Sequence, residues 1–205
     1  EVIRAMGTEI LCNVTIGEDV TLTELRERHD AVLISVGAKK SRLIPIPNVD
    51  APGVIGGVDF LRDIALHNEV ELGEKVLVIG GGNVAYDVAR TAVRQPVHDY
   101  DVSRTAVRQE GVIEVHLACL ESRAEMPADD AEVDEGAEEG IILHNSWGPK
   151  EILVDDFGRA RGVRFTKCLA VFDADGRFSP SFDEGQTLDI EADQVLLSIG
   201  QATDL

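Results

Sequence analysis

Apolar positions fall into short runs separated by polar or glycine-rich breaks, and the period of each run predicts an element. Ala31-Val32-Leu33-Ile34-Ser35-Val36, Lys75-Val76-Leu77-Val78-Ile79 and Gln194-Val195-Leu196-Leu197-Ser198-Ile199 are nearly continuous aliphatic runs, each followed by glycine. Such runs predict strands buried on both faces, as in a parallel sheet. Shorter strands are expected at 9–14, 113–120 and 141–144. Helical spacing is found at 19–28, with Thr21 or Thr23 as N-cap, at 58–67, where Phe60, Leu61 and Ile64 share a side, and at 84–94. Pro45, Pro47, Pro52 and Gly53 make a connector between the first strands and the 58–67 helix. Alternating segments at 151–173, interrupted by Asp155-Asp156-Phe157-Gly158, predict a β-hairpin or meander. Strands alternating with helices define an α/β fold. The expectation is a Rossmann-like dinucleotide-binding domain with a mostly parallel sheet, residues 75–79 at its centre, and the hairpin added to it.

The chemistry concentrates where the central strand ends. Gly80-Gly81-Gly82-Asn83-Val84-Ala85 joins a predicted strand to a predicted helix and contains Gly-x-Gly-x-x-Ala. In a dinucleotide-binding loop the first glycine makes the tight turn, the second lets the backbone approach a pyrophosphate, and the small third residue lets helix pack on strand. The helix N-terminus then offers free N–H groups to the phosphates. The adenosine ribose is read at the end of the next strand, where an acid suits the 2′-hydroxyl of NAD and arginines suit the 2′-phosphate of NADP. Glu121 lies just past the 113–120 strand, 41 residues after Gly80. The plainer alternative is that Glu121 only begins the acidic helix that follows.

A near-perfect repeat intervenes. Residues 86–95 and 100–109 differ at one position, Ala89 against Ser103, with an offset of 14 residues. That offset is close to four helical turns at about 3.6 residues each, although Pro96 between the copies would interrupt a helix. Setting the 14 residues aside brings Glu121 to 27 after Gly80, against about 20 in the usual pattern.

Charge narrows the partners. A formal net charge of −19 argues against nonspecific binding to nucleic acid or to an anionic membrane. Residues 121–139 hold nine acids against one base, Arg123. A solvated helix face is the favoured reading of this run, with a docking surface for a basic partner as the minor one. No apolar run approaches the length of about 20 residues that a membrane-spanning helix needs, so no membrane insertion is expected. Cys12, Cys119 and Cys168 are far apart and form no Cys-x-x-Cys pair. Buried thiols in a reducing cytoplasm are the expectation.

Several motifs together resemble the glutamate synthase small-subunit family of FAD-dependent pyridine-nucleotide oxidoreductases. They are the run from Gly80 to Ala92, the segment Ser122-Arg123-Ala124-Glu125-Met126-Pro127-Ala128, the connector from Pro45 to Val54, and the two glycine-ended runs before Gly37 and Gly200. The resemblance covers nearly the whole chain. It implies a nucleotide domain inserted into an FAD domain, with hydride passing from NAD(P)H to FAD and on to iron–sulfur clusters or a partner subunit. It implies a partial FAD-domain segment at 1–50, an NAD(P)-binding domain at 51–190 and a return strand of the FAD domain at 191–205. The two glycine-ended runs, as crossings between the domains, are expected to be neighbouring strands. The family's FAD fingerprint and preceding cysteines are absent from this sequence, and Glu1-Val2-Ile3-Arg4-Ala5-Met6 reads like mid-helix. An excised piece is therefore expected, with FAD bound by the full-length parent rather than by this stretch, and the remainder of the FAD domain and an electron-acceptor subunit as partners.

By this resemblance the cofactor contacts are Gly80, Gly81, Gly82, Asn83, Val84, Ala85, Glu121, Ser122, Arg123 and Gly200. Members that use NADPH commonly carry adjacent arginines where this chain has Leu120-Glu121. That departure favours NAD(H) over NADP(H), with Arg123 acting the other way. Asn83 is expected to cap its helix or touch cofactor, with capping preferred. Asp87 is expected to favour the helix dipole from the first turn. Arg90 and Arg94 could meet a phosphate but are expected to face solvent, and His116 is expected to be a packed histidine in preference to a catalytic one. His144, Asn145 and Trp147-Gly148-Pro149 form a polar and aromatic strand end that a nicotinamide could reach. No serine, histidine and acid arrangement suggests a nucleophile, and hydride transfer needs none because the cofactors carry the chemistry. The rival to an oxidoreductase is a non-catalytic module that senses dinucleotide or assists assembly.

Overall fold

The computed structural model describes residues 2–68, 70, 72–95, 112 and 114–203. The second copy of the duplicated segment and Pro96 lie outside the described residues. Two compact units divide the chain, Glu1–Gly37 and Ala38–Leu205.

The first unit contains helices α1 (Val2–Ala5) and α2 (Leu22–Arg28). Thr21 is the N-cap of α2. Its hydroxyl accepts from the Glu24 N–H at 3.2 Å, while the Glu24 carboxylate accepts from the Thr21 N–H at 2.8 Å, a reciprocal capping box. The strands expected at 9–14 and 31–37 do not form. Among the described residues no strand pairs with either run, and no residue of this unit is buried. A strand is held by a neighbour's hydrogen bonds, and an apolar sequence without that neighbour stays irregular.

The second unit contains β1 (Lys40–Ser41), β2 (Val54–Gly56), α3 (Gly57–Ala65), β3 (Lys75–Ile79), α4 (Asn83–Val93), β4 (Glu114–Ala118), α5 (Asp130–Glu138), β5 (Ile142–His144), β6 (Trp147–Val154), β7 (Ala160–Phe172), β8 (Phe178–Glu191), β9 (Gln194–Leu197) and β10 (Gln201–Ala202). Five strands form one parallel sheet in the order β2-β9-β3-β4-β5, with β3 at the centre as expected.

Both faces of this sheet are covered. Val76, Val78, Val115, Leu117 and Leu196 pack with Phe60 of α3, Ala85, Val88 and Ala89 of α4, and Val133 of α5. The alternate residues Leu77, Ile79, Ala118, Val195 and Leu197 pack with Ile152, Val163, Phe165 and Ile190 of a second sheet. The alternation of side chains along a strand thus sends neighbouring residues into two different cores. Truncating Leu77 or Leu196 to alanine, each fully buried, would cost about 2–5 kcal/mol.

The second sheet is antiparallel, in the order β6-β7-β8. The hairpin expected at 151–173 is its first two strands. Its two turns share one device. Asp155 Oδ1 accepts from the N–H groups of Phe157 and Arg159, and Asp173 Oδ1 accepts from those of Asp175 and Arg177, all at 2.9 Å. Aspartate favours such turns because its carboxylate reaches the backbone two residues on.

The two glycine-ended runs are not neighbouring strands, since β9 pairs with β2 and β3. Pairing occurs just beyond each run instead. Lys40 lies opposite Ala202 and Ser41 opposite Gln201, and the Arg42 N–H donates to the Gly200 carbonyl at 3.2 Å.

The acidic run is helical only from Asp130, and it is not simply solvated. Glu132, Glu135 and Glu139 hold Arg90 of α4 at 2.9, 2.6 and 3.0 Å, and Glu139 also holds Arg94 at 2.6 Å. The Arg90 side chain, expected in solvent, is only 18% exposed. These carboxylates hold its guanidinium more firmly protonated than an ordinary arginine, the Glu139 hydrogen bond contributing most. The acids fasten α5 to α4, the helix that follows the glycine loop.

Candidate functional site

The loop between β3 and α4 lies at the carboxyl end of the parallel sheet, where open α/β sheets bind ligands. Each glycine has a different physical reason. Gly80 has φ of +151°, and a Cβ there would run into the carbonyl oxygen of Ser198, just past β9, and stand 3.2 Å from Ala85 Cβ. At Gly81 a Cβ would lie 2.8 Å from the Glu121 carboxylate and 3.1 Å from Cys119 Cβ. At Gly82 the nearest atom would be Pro127 Cγ at 3.9 Å, so the space over this residue is open. The first glycine therefore serves packing, the second makes room for an acid, and the third leaves access to the backbone.

Gly82 is the N-cap of α4, and no side chain caps the helix. The first-turn N–H groups, which a helix cannot satisfy internally, lack a side-chain partner there. Asn83 does not fill that role. It is the first helical residue, and its amide pairs reciprocally with Asp129, donating to Oδ2 and accepting from the Asp129 N–H, both at 2.8 Å. The pair fixes the start of α5 to the start of α4. Asp87 stands in the second turn of α4 and is exposed, so it is not a first-turn dipole partner. Val84 is half-buried, and Ala85 is fully buried beneath the loop.

The segment after β4 forms the opposite wall. The Cys119 N–H donates to the His144 carbonyl at 3.1 Å, the Trp147 N–H to the Cys119 carbonyl at 2.9 Å and the Ser146 N–H to the Glu121 carbonyl at 2.9 Å. The Ala128 N–H donates to the Gly81 carbonyl at 3.2 Å, closing the wall onto the loop. Burial, with the Glu121 charge beside it, pushes the Cys119 thiol up to about 12.

Gly80 to Ala85 and Glu121 are therefore brought together. Ser122 and Arg123 are adjacent in sequence, but their polar groups are engaged elsewhere. The Ser122 hydroxyl donates to Glu125 at 2.5 Å, and the Arg123 guanidinium donates to Asp130 at 2.7 Å. Gly200, with φ of +111°, sits beyond β9 beside Arg42.

His116 is packed, as expected, but in a polar setting. Its Nε2 meets Glu114 at 2.7 Å and its Nδ1 meets His144 Nε2 at 2.8 Å, with the two rings stacked. Trp147 is covered by the Lys167 ammonium, 4.9 Å from the ring centroid. The roles of Asn145 and Ser198 are not visible in the sequence, because each acts on residues far away along the chain.

A glycine loop between parallel strand and helix, an uncapped helix start and an acid at the end of the next strand define a dinucleotide-binding domain of the Rossmann class. Residues 7–205 match the pyridine nucleotide-disulphide oxidoreductase family. The β subunit of an NADPH-Fe(3+) oxidoreductase from Geobacter sulfurreducens is 36% identical over 209 residues, which covers 100% of this chain and 29% of that protein. The small chain of an NADPH glutamate synthase from Azospirillum brasilense is 31% identical, over 92% of this chain and 38% of that protein. A solved structure of FprA from Mycobacterium tuberculosis in complex with NADPH shares the fold, with a TM-score of 0.72 and 23% identity over 92% of this chain and 54% of that one. The chain belongs to the pyridine nucleotide-disulphide oxidoreductase family and, within it, to the group resembling the glutamate synthase small subunit. It spans less than two thirds of the length of these relatives.

Proposed function

We propose that this chain is the pyridine-nucleotide-binding part of an FAD-dependent oxidoreductase and that it prefers NAD(H). In this reading the pyrophosphate lies over Gly82 at the start of α4, with Gly80, Gly81, Asn83, Val84 and Ala85 shaping the loop. Glu121 faces the adenosine ribose, Ser122 and Arg123 border it, and Gly200 is a further cofactor contact. Hydride is delivered to an FAD held by the remainder of the parent protein, and electrons continue to iron–sulfur clusters or an acceptor subunit. Residues 51–190 form the core of the nucleotide domain, and sheet membership supports counting β9 with it. Residues 1–50 and the chain beyond β9 connect to the FAD domain.

The observation that carries the cofactor preference is the Glu121 carboxylate packed against Gly81. There it can accept hydrogen bonds from ribose hydroxyls, and it would repel a 2′-phosphate. Arg123, the cation nearest in sequence, is already paired with Asp130. The relatives named above carry NADPH in their names, which does not favour NAD(H); support for the preference comes from this chain's own residues alone. Losing a charged hydrogen bond and meeting a like charge costs on the order of 1–3 kcal/mol, about ten- to a hundredfold in affinity.

Calorimetric titration with NAD+ and NADP+ tests the preference, with Glu121→Arg as the comparison. The wild type is expected to favour NAD+ at least tenfold and the variant to lose or reverse that preference. Equal or tighter NADP+ binding by the wild type overturns it. Flavin content and NADH oxidation of the parent protein test the oxidoreductase reading against a sensing module.

A further inference from the structure

Asn145 follows β5 and sends its side-chain amide toward three groups outside its own strand. Nδ2 lies 3.2 Å from the Glu121 carbonyl, 3.3 Å from Cys119 Sγ and 3.0 Å from Met126 Sδ. The Glu121 carbonyl also accepts from the Ser146 N–H at 2.9 Å and from the Cys119 thiol at 3.5 Å. Cys119 and Met126 are largely buried. One amide thus ties the end of β4, where Glu121 stands, to the loop that leads to α5.

We infer that Asn145 is a positioning residue for ribose recognition, holding Glu121 where its carboxylate reads the 2′-hydroxyl. The inference rests on the reading of Glu121 given above. Glu121 has no helix or strand of its own, since β4 ends at Ala118 and α5 begins at Asp130. Its backbone direction is set by the donors on its carbonyl, and Asn145 is a side-chain donor among them. Two of the three acceptors for its amide are sulfur atoms, which bind weakly. The carbonyl bond is therefore the principal oriented contact of that amide. Without it the Glu121 carbonyl keeps only the Ser146 N–H and the longer Cys119 thiol contact as donors, so that beyond the bonds on Cys119 the Glu121 peptide can rotate about the Ser146 bond. The carboxylate then leaves its place against Gly81 while the phosphate site at Gly82 is untouched.

The experiment compares the Kd of NAD+ with that of 2′-deoxy-NAD+ by calorimetry on the intact protein, for wild type, Glu121→Gln, Asn145→Ala and the double variant. Because the two ligands differ by one hydroxyl, their ratio reports ribose recognition and not general stability. The wild type is expected to bind NAD+ at least tenfold tighter, and Glu121→Gln to reduce that ratio. Asn145→Ala is expected to bring the ratio down at least threefold, and the double variant to fall no further than Glu121→Gln alone. Asn145→Asp keeps the shape but replaces the donor with oxygen, and it is expected to bring the ratio down at least threefold as well, which supplies the test if the alanine variant does not fold. A ratio that falls in Glu121→Gln but stays at the wild-type value in both Asn145 variants overturns the positioning role alone. A wild-type ratio near one, unchanged by Glu121→Gln, overturns the ribose reading and the positioning role with it.

Discussion

Adding one methyl group at Gly82 and at Gly80 should have opposite consequences, because the structure gives these residues different tasks. Gly82 has φ of −99° and ψ of 174°, values open to any L-residue, and its nearest prospective neighbour is 3.9 Å away. Alanine at a helix N-cap is somewhat worse than glycine, while the loss of unfolded-state freedom favours it by about 0.4–1 kcal/mol. The net change for Gly82→Ala should lie within about 1 kcal/mol, which at this chain length moves Tm by roughly 2–4 °C at most. The methyl would nonetheless occupy the open space over the backbone where a pyrophosphate must approach. NAD+ binding should weaken at least tenfold, about 1.4 kcal/mol. Gly80→Ala combines a φ of +151° with a collision against the Ser198 carbonyl, a backbone atom just past β9 in a residue whose N–H is tied to the Ile79 carbonyl at 2.8 Å. Strain of this kind costs about 2–4 kcal/mol and should lower Tm by roughly 5–15 °C. Differential scanning calorimetry and titration with NAD+ check both variants. Wild-type affinity in Gly82→Ala refutes the phosphate cradle, and an unchanged Tm in Gly80→Ala refutes the packing argument.

Two further outcomes follow from titrating groups. The Cys119 thiol, pushed up to about 12 by burial and by Glu121, carries almost no thiolate at pH 8, and thiolate is the reactive form. An alkylating reagent should modify the exposed Cys12 and reach Cys119 only after denaturation, as read by mass spectrometry of peptides. Equal labelling rates in the native protein would contradict the buried position. His144 is held below an ordinary histidine by burial and by the neighbouring His116, so the unfolded chain takes up this proton first as pH falls. The contribution to stability is full above about pH 6.5 and declines below it. Tm should drop between pH 7.5 and 5.5, and by less in His144→Gln; identical drops in both proteins exclude this origin.

Local chemistry was legible in the sequence alone. The runs at 75–79 and 194–199 announced strands buried on both faces, because apolar side chains at successive positions suit that environment. The spacing of Gly80, Gly82 and Ala85 announced a strand-to-helix turn, and Thr21 or Thr23 announced a helix start, of which the structure uses Thr21. All of these depend on residues within a few positions of each other.

Tertiary structure decided what those elements meet. The run at 31–37 has the composition of a buried strand, yet it forms none, because pairing requires a neighbour that composition cannot specify. The run at 195–197 lies between β2 and β3 for the converse reason. The need for glycine at 80 is set by the Ser198 backbone, and a side chain at 81 would displace the Glu121 carboxylate. Arg90 is enclosed by carboxylates more than forty residues away, and Asn83 pairs with Asp129 across 46. Periodicity states which side of an element is apolar, and it is silent on which distant group will lie against it. The candidate site depends on both: a loop written in consecutive residues, and an acid that only the fold brings to it.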